Sequence, residues 1–379
     1  MTELIVYPDQ SIQTMIDVAG PGDVISIMPG AYFENLEIKV GRNSKLANLT
    51  RENRLTIQAS APGVYLYTAD PNKGKSIIEA FAISHVTLTG LDIISDNSKA
   101  AANDGGGLKL IGRTNGASPD VQESEDFVLD KCSIGGTGIS GIKCAMFKGL
   151  DVRWCYFDGV FSHTFIDLVT VWNSGIYRCT FDGQWSASIG MKAGSRDIDI
   201  LRNNFYSQPE GEGQTSILVG GIGFSRDDRD PLPDNFTGFE AKDITVIENI
   251  IESNTKNGVM FQGGQFSVVT QNYFNNTGGT MVKFAHAAST IPSDSTDNWV
   301  GDNWVGSNIT VHASLAAGQE RNEVVGTVPG TESDVFSLWD KTKEPAPEPV
   351  DEYQSQLDDL FLRVGYLEDK LRSLHEALG

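Results

Sequence analysis

Apolar and polar positions alternate along short segments of the chain, and the alternation returns at a fixed interval. Three segments are nearly the same: FVLDKCSIGG at 127–136, LDVRWCYFDG at 150–159 and SGIYRCTFDG at 174–183. A fourth, DIDILRNNFYS at 197–207, has asparagine in place of the cysteine. The residues of this shared slot lie 23, 24 and 24 positions apart: Cys132, Cys155, Cys179 and Asn203. Alternation is typical of β-strands, and a period in the low twenties indicates a solenoid with one turn of backbone per repeat.

Stacked turns place equivalent residues above one another, so the repeat also predicts the interior. The slot recurs at Asn249, Asn272 and Asn303, where buried amides can hydrogen-bond along the stack. Two inward columns are expected, made of Val152, Ile176 and Ile200 and of Phe157, Phe181 and Phe205. We therefore predict an all-β fold, a right-handed single-stranded parallel β-helix of about 11 to 12 turns.

The two ends of the chain depart from this pattern. At the start, Ser11 to Val18 has helical apolar spacing and is stopped by Gly-Pro-Gly, which predicts a short helix capping the first turn. Asn203 and Asn249, two successive residues of the shared slot, lie 46 positions apart, which is about twice the usual repeat. We interpret this interval as two turns with residues 225–240 in a loop. The β-helix is expected to occupy residues 1–340.

A different composition begins at residue 341. Residues 341–350, KTKEPAPEPV, form a Pro-rich linker that is expected to be extended. In residues 351–379 apolar positions alternate at spacings of three and four, which predicts a coiled-coil oligomerisation helix with the seam Leu357, Leu360, Val364, Leu367, Leu371, Leu374 and Leu378. A homotrimer is the expected assembly, and a helix docked on the side of the solenoid is the alternative.

Charge and cysteine content limit the partners. The formal net charge of −21 argues against nucleic acid and makes a polyanionic substrate unexpected without calcium or a local basic patch. The sequence starts without a signal-peptide pattern and has no apolar run long enough for membrane insertion, so synthesis in the cytoplasm is expected. Three of the four cysteines share one interior slot, which favours buried thiols over disulfides.

Segments in the first quarter of the chain resemble the start of polysaccharide-lyase β-helices of the alginate lyase and chondroitinase B family. They are SIQTMIDVAGPGDVISIMPGAY at 11–32, RLTIQASAPGVYL at 54–66 and HVTLTGLDII at 85–94. A further segment, ASIGMKAGSRDIDILRNNF at 187–205, resembles the part of those lyases that holds the catalytic lysine, with Lys192 in its place. Ile189 and Met191 are expected to point inward, so alternation predicts that Lys192 points outward. The resemblance implies that a base removes the proton beside a uronate carboxylate while a cation neutralises that carboxylate.

The rest of the lyase apparatus departs from the family pattern. Val219 stands where a catalytic arginine is expected, and Trp185 and Ala187 stand where calcium-binding acidic residues are expected. Arg196, Arg202 or Arg226 are possible substitutes from other positions.

Two other kinds of site are open from the residues alone. Glycoside hydrolysis needs two carboxylates across a groove, and Asp158, Asp167 and Asp182 are candidates. Asp158 and Asp182 follow equivalent phenylalanines in adjacent turns, so stacking is expected to make them neighbours. As residues of Phe-Asp-Gly segments they are alternatively turn formers. The acidic segments DDRD at 227–230 and DSTDN at 294–298 could bind calcium, although solvated loops are the simpler interpretation, and we predict no cofactor and no structural metal.

Exposed aromatic residues beside stacked polar residues favour carbohydrate binding, because sugars present apolar ring faces and hydroxyl edges. The repeat places Trp154 in one outward column with Arg178, Arg202, Glu248 and Gln271. The predicted carbohydrate-binding residues are Trp154, Tyr177, Arg178, Trp185 and Arg202. The alternative is that these tryptophans pack under loops.

A β-helix without a signal peptide, followed by a linker and a coiled coil, resembles bacteriophage virion proteins. The resemblance implies a tailspike, receptor-binding or capsid-decoration protein that recognises host surface polysaccharide and associates with other virion proteins. Its expected location is the virion, after synthesis in the host cytoplasm. The alternatives are a polysaccharide lyase that uses Lys192 in β-elimination on a uronate-containing glycan, and a structural decoration protein without glycan affinity.

Overall fold

The computed structural model describes residues 1–72, 74–96, 105–112, 124–183, 187–206, 215–221, 239–285, 295–316, 321–332 and 334–335. All of them belong to the unit Met1–Val335, and the second unit, Phe336–Gly379, lies outside them. The linker at 341–350 and the seven predicted seam residues from Leu357 to Leu378 are in that second unit. The coiled coil and the trimer therefore stay predictions. No helix in the described part of the chain is long and apolar enough to cross a bilayer.

Parallel strands stack on three sides of a β-helix, and each turn passes through the three sheets in the order A, B, C. Sheet A contains Glu3–Val6, Val24–Ile27, Leu55–Ala59, Val86–Thr89, Glu125–Asp130, the end of Ser133–Arg153, the end of Val160–Tyr177, Ser195–Leu201, Ala241–Ile247, Gly264–Gln265, Val268–Thr270, Trp299–Gly301 and Glu323–Val325.

The other two sheets complete each turn. Sheet B contains Gly30–Phe33, Val64–Tyr67, Asp92–Asp96, the start of Ser133–Arg153, Tyr156–Phe157, Thr180–Phe181, Asn204–Phe205, Ile250–Ile251, Tyr273–Phe274, Trp304–Val305 and Val328–Pro329. Sheet C contains Leu36–Lys39, Ile78–Phe81, Gly106–Ile111, the middle of Ser133–Arg153, the first part of Val160–Tyr177, Ala187–Lys192, Thr215–Gly220, Asn257–Gln262, Thr280–Ala285 and Val311–Leu315.

Two short helices lie near the start of the chain. The α-helix Ile12–Val18 begins after Ser11, whose hydroxyl accepts a hydrogen bond from the Thr14 N–H, and it buries Ile12 and Ile16 in the core. A 3₁₀-helix spans Ser44–Asn48. The side chain of Asn43 joins the two helices, because its amide donates to the carbonyl oxygens of Ile16 and Ala19.

The predicted cysteine and asparagine column is present between sheets A and B, and it is fully buried. The Cys179 N–H donates to Asn203 Oδ1 at 2.8 Å, and the Asn203 N–H donates to Asn249 Oδ1 at 2.8 Å. Asn249 and Asn272 continue the ladder in the same way. Each side-chain amide also donates to a backbone carbonyl, for example Asn203 to Ile176. The polar column is therefore satisfied inside an apolar core.

The predicted inward columns are confirmed. Ile176 pairs with Val152 on one side and Ile200 on the other. The rings of Phe157 and Phe181 are 4.8 Å apart and nearly parallel, and those of Phe181 and Phe205 have the same separation. This spacing equals the distance between neighbouring strands, so equivalent residues lie directly over one another.

The interpretation of the 46-residue interval as two turns is wrong. Asn203 bonds directly to Asn249, and Leu201 pairs with Ile247, so the interval is a single turn. That turn holds one strand of sheet C, Thr215–Gly220. The predicted loop at 225–240 lies outside the described residues, apart from Phe239 and Glu240.

Candidate functional site

Lys192 is the last residue of the sheet C strand Ala187–Lys192 and faces outward. Ile189 and Met191 are fully buried, so alternation turns the Lys192 side chain away from the core. The outward direction expected from the sequence is confirmed.

Asp167 meets Lys192 from the preceding turn. It lies in Val160–Tyr177 and pairs with Gly190, two residues before Lys192. The Lys192 ammonium Nζ lies 2.9 Å from Asp167 Oδ1, and the two side chains are 16% and 6% exposed. The contact is an ion pair without hydrogen-bond alignment, since Oδ1 accepts no hydrogen bond from the described residues. A charged pair is thus held largely out of solvent.

His163 completes the cluster at the rim. Its Nδ1 atom lies 3.8 Å from Asp167 Oδ2, and its side chain is 46% exposed. Burial and the positive charge of Lys192 lower the pKa of His163 below its usual value, and Lys143 adds to this effect against the opposing charge of Asp167. The imidazole is therefore neutral at pH 7 and can accept a proton.

A cavity of about 220 Å³ opens above this cluster, and Gly190 forms its floor. A Cβ atom at Gly190 would have only Thr164 Cγ2 near it, at 3.4 Å, so the absent side chain leaves open space. Leu218, Met260 and Gln262 from the following two turns form the opposite wall. One side of the cavity is therefore charged, and the other is mostly apolar.

This arrangement supports acid–base chemistry on an anionic ligand. The Lys192 ammonium has three N–H donors, and Asp167 uses one side of it. Lys192 lines the cavity together with His163. In the part of the chain that the structure describes, no group of three or more His, Cys, Asp and Glu residues is arranged to hold a metal ion.

The three carboxylates predicted for hydrolysis do not lie together. Asp158 and Asp182 follow paired strands of sheet B, Tyr156–Phe157 and Thr180–Phe181, whereas Asp167 lies on sheet C. Burial raises the pKa of Asp158, and the nearby charges of Asp182 and Asp92 raise it further. The expectation that Asp158 and Asp182 are neighbours is confirmed, but Asp167 belongs to the lysine cavity.

The predicted outward column with Trp154 is present at the corner between sheets A and B. Its residues share a left-handed backbone with φ near 55°, and they are Lys131, Trp154, Arg178, Arg202, Glu248, Gln271 and Asp302. The Arg178 guanidinium lies 4.6 Å from the centre of the Trp154 ring, and Arg202 Nε lies 2.6 Å from Glu248 Oε2. Within this column the cations thus contact aromatic and acidic neighbours.

The other predicted residues have separate locations. Tyr177 lies on sheet A with its ring over Gly175. Trp185 lies outside the described residues. Trp154, Tyr177, Arg178 and Arg202 do not line the cavity of Lys192. Val219 is fully buried and pairs with Met191, so its slot is a core position and not an arginine site.

Sequence reasoning missed the role of His163. It is not among the candidate residues named from the sequence, although it precedes Asp167 by four residues in the same strand. Asp167 and Lys192 are 25 residues apart. The repeat of 23 residues pairs Asp167 with Gly190, and Lys192 lies two residues further along the same strand, so Asp167 and Lys192 are diagonal neighbours on one sheet. Combining the period with these spacings would have found all three residues.

No family model and no curated protein matches the sequence. Solved structures do share the fold. The A-module of mannuronan C-5 epimerase AlgE6 from Azotobacter vinelandii is 13% identical with a TM-score of 0.51, and the match covers 84% of this chain and 94% of the module. A GH136 lacto-N-biosidase from Eubacterium ramulus is 12% identical with a TM-score of 0.48, over 86% of this chain and 67% of the enzyme.

The PL6 family alginate lyase AlyGC is also 12% identical, with a TM-score of 0.43, over 83% of this chain and 40% of the lyase. At such identities the similarity shows the fold alone. The sequence resemblance to lyase β-helices is therefore supported as a resemblance of fold, and the bacteriophage layout is not shown. By these comparisons the chain shares the parallel β-helix fold of the solved structures.

Proposed function

We propose that the cavity of Lys192, Asp167 and His163 binds a uronate unit of an acidic polysaccharide and removes its C5 proton, so that the chain is cleaved by β-elimination. The observation that carries this proposal is a cation 2.9 Å from a buried carboxylate, beside a histidine whose pKa is lowered, in an open cavity. The solved neighbours share only the fold, and the side chains of the cavity carry the proposed chemistry.

Lys192 is the group that neutralises the uronate carboxylate. Proton removal at C5 places negative charge on that carboxylate, and a nearby ammonium stabilises the developing charge. Asp167 holds the ammonium in place, since an ion pair sheltered from water is stronger than an exposed one. This role differs from the one implied by the lyase resemblance, where Lys192 is the base. A lysine in an ion pair is a cation and has no lone pair to accept a proton.

His163 is the base. Its neutral imidazole takes the C5 proton, the C–H electrons form the C4=C5 double bond, and the C4–O4 bond breaks. The leaving O4 oxygen takes up a proton, which the imidazolium can return. A base is most effective when its pKa lies near or below the working pH, as the lowered pKa of His163 provides.

The net charge of −21 makes a polyanionic substrate unexpected unless basic residues cluster near the cavity. Lys143 pairs with Asp167 across the sheet, and Lys109 pairs with Lys143 in the turn before. Lys109, Lys143 and Asp167 thus occupy successive turns of one outward column, Glu79 precedes Lys109 in it, and Lys192 contacts Asp167 from the following turn. Three lysines in four successive turns make this side of sheet C more basic than the chain as a whole.

The test is to incubate the full-length protein with alginate, polygalacturonate, chondroitin and hyaluronan and to follow the ultraviolet absorbance of the C4=C5 product. We expect activity on at least one polymer, and a loss of about 10³-fold in kcat/KM for Lys192→Met and for His163→Gln. Lys283→Met is the matched control, because Lys283 lies on the same sheet three turns further on. Activity that survives in both cavity variants contradicts the proposal.

Proton removal without chain cleavage is distinguishable in the same experiment. If the proton returns to the opposite face of C5, the product is an epimerised polymer. Deuterium incorporation at C5, measured by NMR in D₂O, would then appear without new absorbance. That result would support the proposed roles of Lys192 and His163, and it would show that the reaction is epimerisation and not elimination.

The virion role proposed from the layout rests on the linker at 341–350 and the heptads at 351–379, which lie outside the described residues. It remains a proposal for the whole chain, alongside a decoration protein without glycan affinity. Sedimentation of the full chain and of a chain ending at residue 340 tests its structural part, with a trimer expected only for the full chain. Adjacent capsid or tail genes would support the virion assignment.

A further inference from the structure

Sheet B carries an exposed group of aromatic rings at its N-terminal end. Phe33 is 66% exposed and Tyr65 is 41% exposed. The rings of Phe33 and Tyr67 are stacked with centres 5.1 Å apart and an angle of 18° between their planes, and Tyr65 lies 6.3 Å from Tyr67. We name Phe33, Tyr65 and Tyr67 the aromatic ledge. Its rings lie in two successive turns, so they form one continuous apolar surface.

Carboxylates continue the same two outward columns in the next turns. Asp92 pairs with Tyr65, and Ser133 and Tyr156 follow it in the column. In the other column Phe33 and Tyr67 are followed by Ile94 and Gly135, and then by Asp158 and Asp182. We name Asp92, Asp158 and Asp182 the carboxylate row. From Ala31 to Thr180 the surface spans five strand spacings, about 24 Å, which is long enough for several sugar units.

The carboxylates are crowded and face the same surface. The Asp158 side chain lies over Gly135, since a Cβ atom there would be 2.1 Å from Asp158 Oδ1. The Tyr156 hydroxyl donates to Asp182 Oδ2 at 3.3 Å, and the Tyr156 side chain is 41% exposed. Burial raises the pKa of Asp92 and, together with the neighbouring aspartates, that of Asp158. These groups are hydrogen-bond acceptors set beside an apolar surface.

Charge selects the class of ligand. Between the turns of Phe33 and Asp182, the two outward columns contain no lysine or arginine among the described residues. Uronates and nucleic acids would be repelled by the carboxylate row. Sugar hydroxyls are donors for carboxylates, and the ring faces of neutral sugars stack on aromatic side chains. A peptide partner would favour a broader apolar surface with fewer charges at its centre.

We propose that the aromatic ledge and the carboxylate row together bind a neutral polysaccharide, with sugar rings on the ledge and hydroxyl groups donating to the row. This surface is on a different sheet from the cavity of Lys192, and it takes a ligand of different charge. The proposal does not depend on lyase activity. It would make the protein bind two kinds of glycan, or one polymer that contains both neutral and acidic units.

Affinity electrophoresis of the full-length protein tests this, in native gels containing mixed-linkage β-glucan, hydroxyethyl cellulose, galactomannan, xylan or dextran. We expect at least one of these polymers to retard the wild type. Phe33→Ala and Tyr67→Ala should each weaken binding about two- to tenfold, since one stacked ring contributes about 0.5–1.5 kcal/mol. Tyr67→Phe should retain most of the binding. The exposed Phe33 can be truncated without loss of core packing.

Phe266→Ala is the matched control, because Phe266 is 50% exposed and lies at another corner, over Lys242. Lys192→Met should abolish cleavage of uronate polymers and leave the retardation unchanged. Absence of retardation in all five gels overturns the proposal, as does equal weakening by Phe33→Ala and Phe266→Ala. Sedimentation is run in parallel, and self-association that disappears in Phe33→Ala would show a protein interface instead.

Discussion

The cavity on sheet C and the strip on sheet B are built by the same stacked turns and have opposite chemistry. In sheet C the outward positions bring Lys192, Lys143 and His163 around a single buried aspartate. In sheet B the equivalent positions bring aromatic rings and three aspartates into two columns. In a parallel β-helix, residues about two dozen positions apart share a column on one sheet. The outward residues of each sheet can therefore differ in charge from those of the other sheets.

A glycine lies in each region, and the space beside the two glycines differs. A Cβ atom at Gly190 would have only Thr164 Cγ2 near it, and the open space lines the cavity. Gly135 has the Asp158 carboxylate in the space that a side chain would fill. A missing side chain therefore makes a pocket only when no neighbour from the next turn fills the gap.

The largest expected effect is at the ion pair. Asp167→Asn leaves Lys192 without its charged partner, so the ammonium is no longer held toward the cavity. We expect kcat/KM for the uronate polymer to fall about 10²–10³-fold, while retardation by neutral polysaccharides on sheet B stays at the wild-type level. Parallel loss of both properties would mean that the two regions are not independent, and a circular dichroism melt checks that the variant is folded.

A smaller effect distinguishes the two glycines. Gly190→Ala places a methyl group in the cavity against only one near atom, so folding should be unchanged and kcat/KM should fall about tenfold through lost ligand space. Gly135→Ala displaces only the end of the Asp158 side chain, so it should change the free energy of unfolding by no more than about 0.5 kcal/mol and leave uronate cleavage unchanged. Kinetics and urea unfolding of both variants measure this, and a reversed pattern would refute the comparison.

The pH profile is expected to follow His163. Because its pKa is lowered below 6.5, the base is lost only as pH falls below that value, and the acid limb of kcat/KM should lie under pH 6.5. Lys143→Met removes one of the charges that lower this pKa, so the limb should move to higher pH. NMR titration of the His163 ring gives the same quantity directly. Lys283→Met should leave the limb in place.

The smallest effect concerns stability on sheet B. The pKa of Asp158 is raised in the folded protein, so its charged form destabilises the fold, and this penalty develops as pH rises from the unfolded value near 3.8 through the folded value. Asp158→Asn should therefore raise Tm by about 1–2 °C at pH 7 and have little effect below pH 3.8. Differential scanning calorimetry at the two pH values measures this, with Asp9→Asn as the exposed control.

Much of the fold was predictable, because stacking imposes its period on the sequence. The Cys and Asn column, the Phe column and the outward direction of Lys192 all followed from spacing and alternation. The interval from Asn203 to Asn249 was misjudged for a physical reason. Pairing between turns fixes which residues stack, and it does not fix how many residues lie between them, so the length of an interval does not give the number of turns.

The candidate site was predictable only in part. Lys192 was found through resemblance, and Asp167 was grouped with Asp158 and Asp182 because all three are aspartates in one stretch of sequence. Which sheet each one joins depends on where the chain bends, and the bends are set by backbone hydrogen bonds between turns. The lowered pKa of His163 arises from burial and from the charges of Lys192 and Lys143, which belong to other turns.

The sequence by itself determined the repeat, the identity of the buried columns and the alternation that turns each side chain inward or outward. These properties depend on neighbouring residues or on the repeat, so they are the same for a strand in any turn of the stack. Only the tertiary structure decided that Lys192, Asp167 and His163 meet over an open glycine, and that aromatic rings and aspartates share another sheet. Which side chains come into contact depends on the length of chain at each corner. These lengths do not repeat along the sequence, and the contacts are set only when neighbouring turns pair.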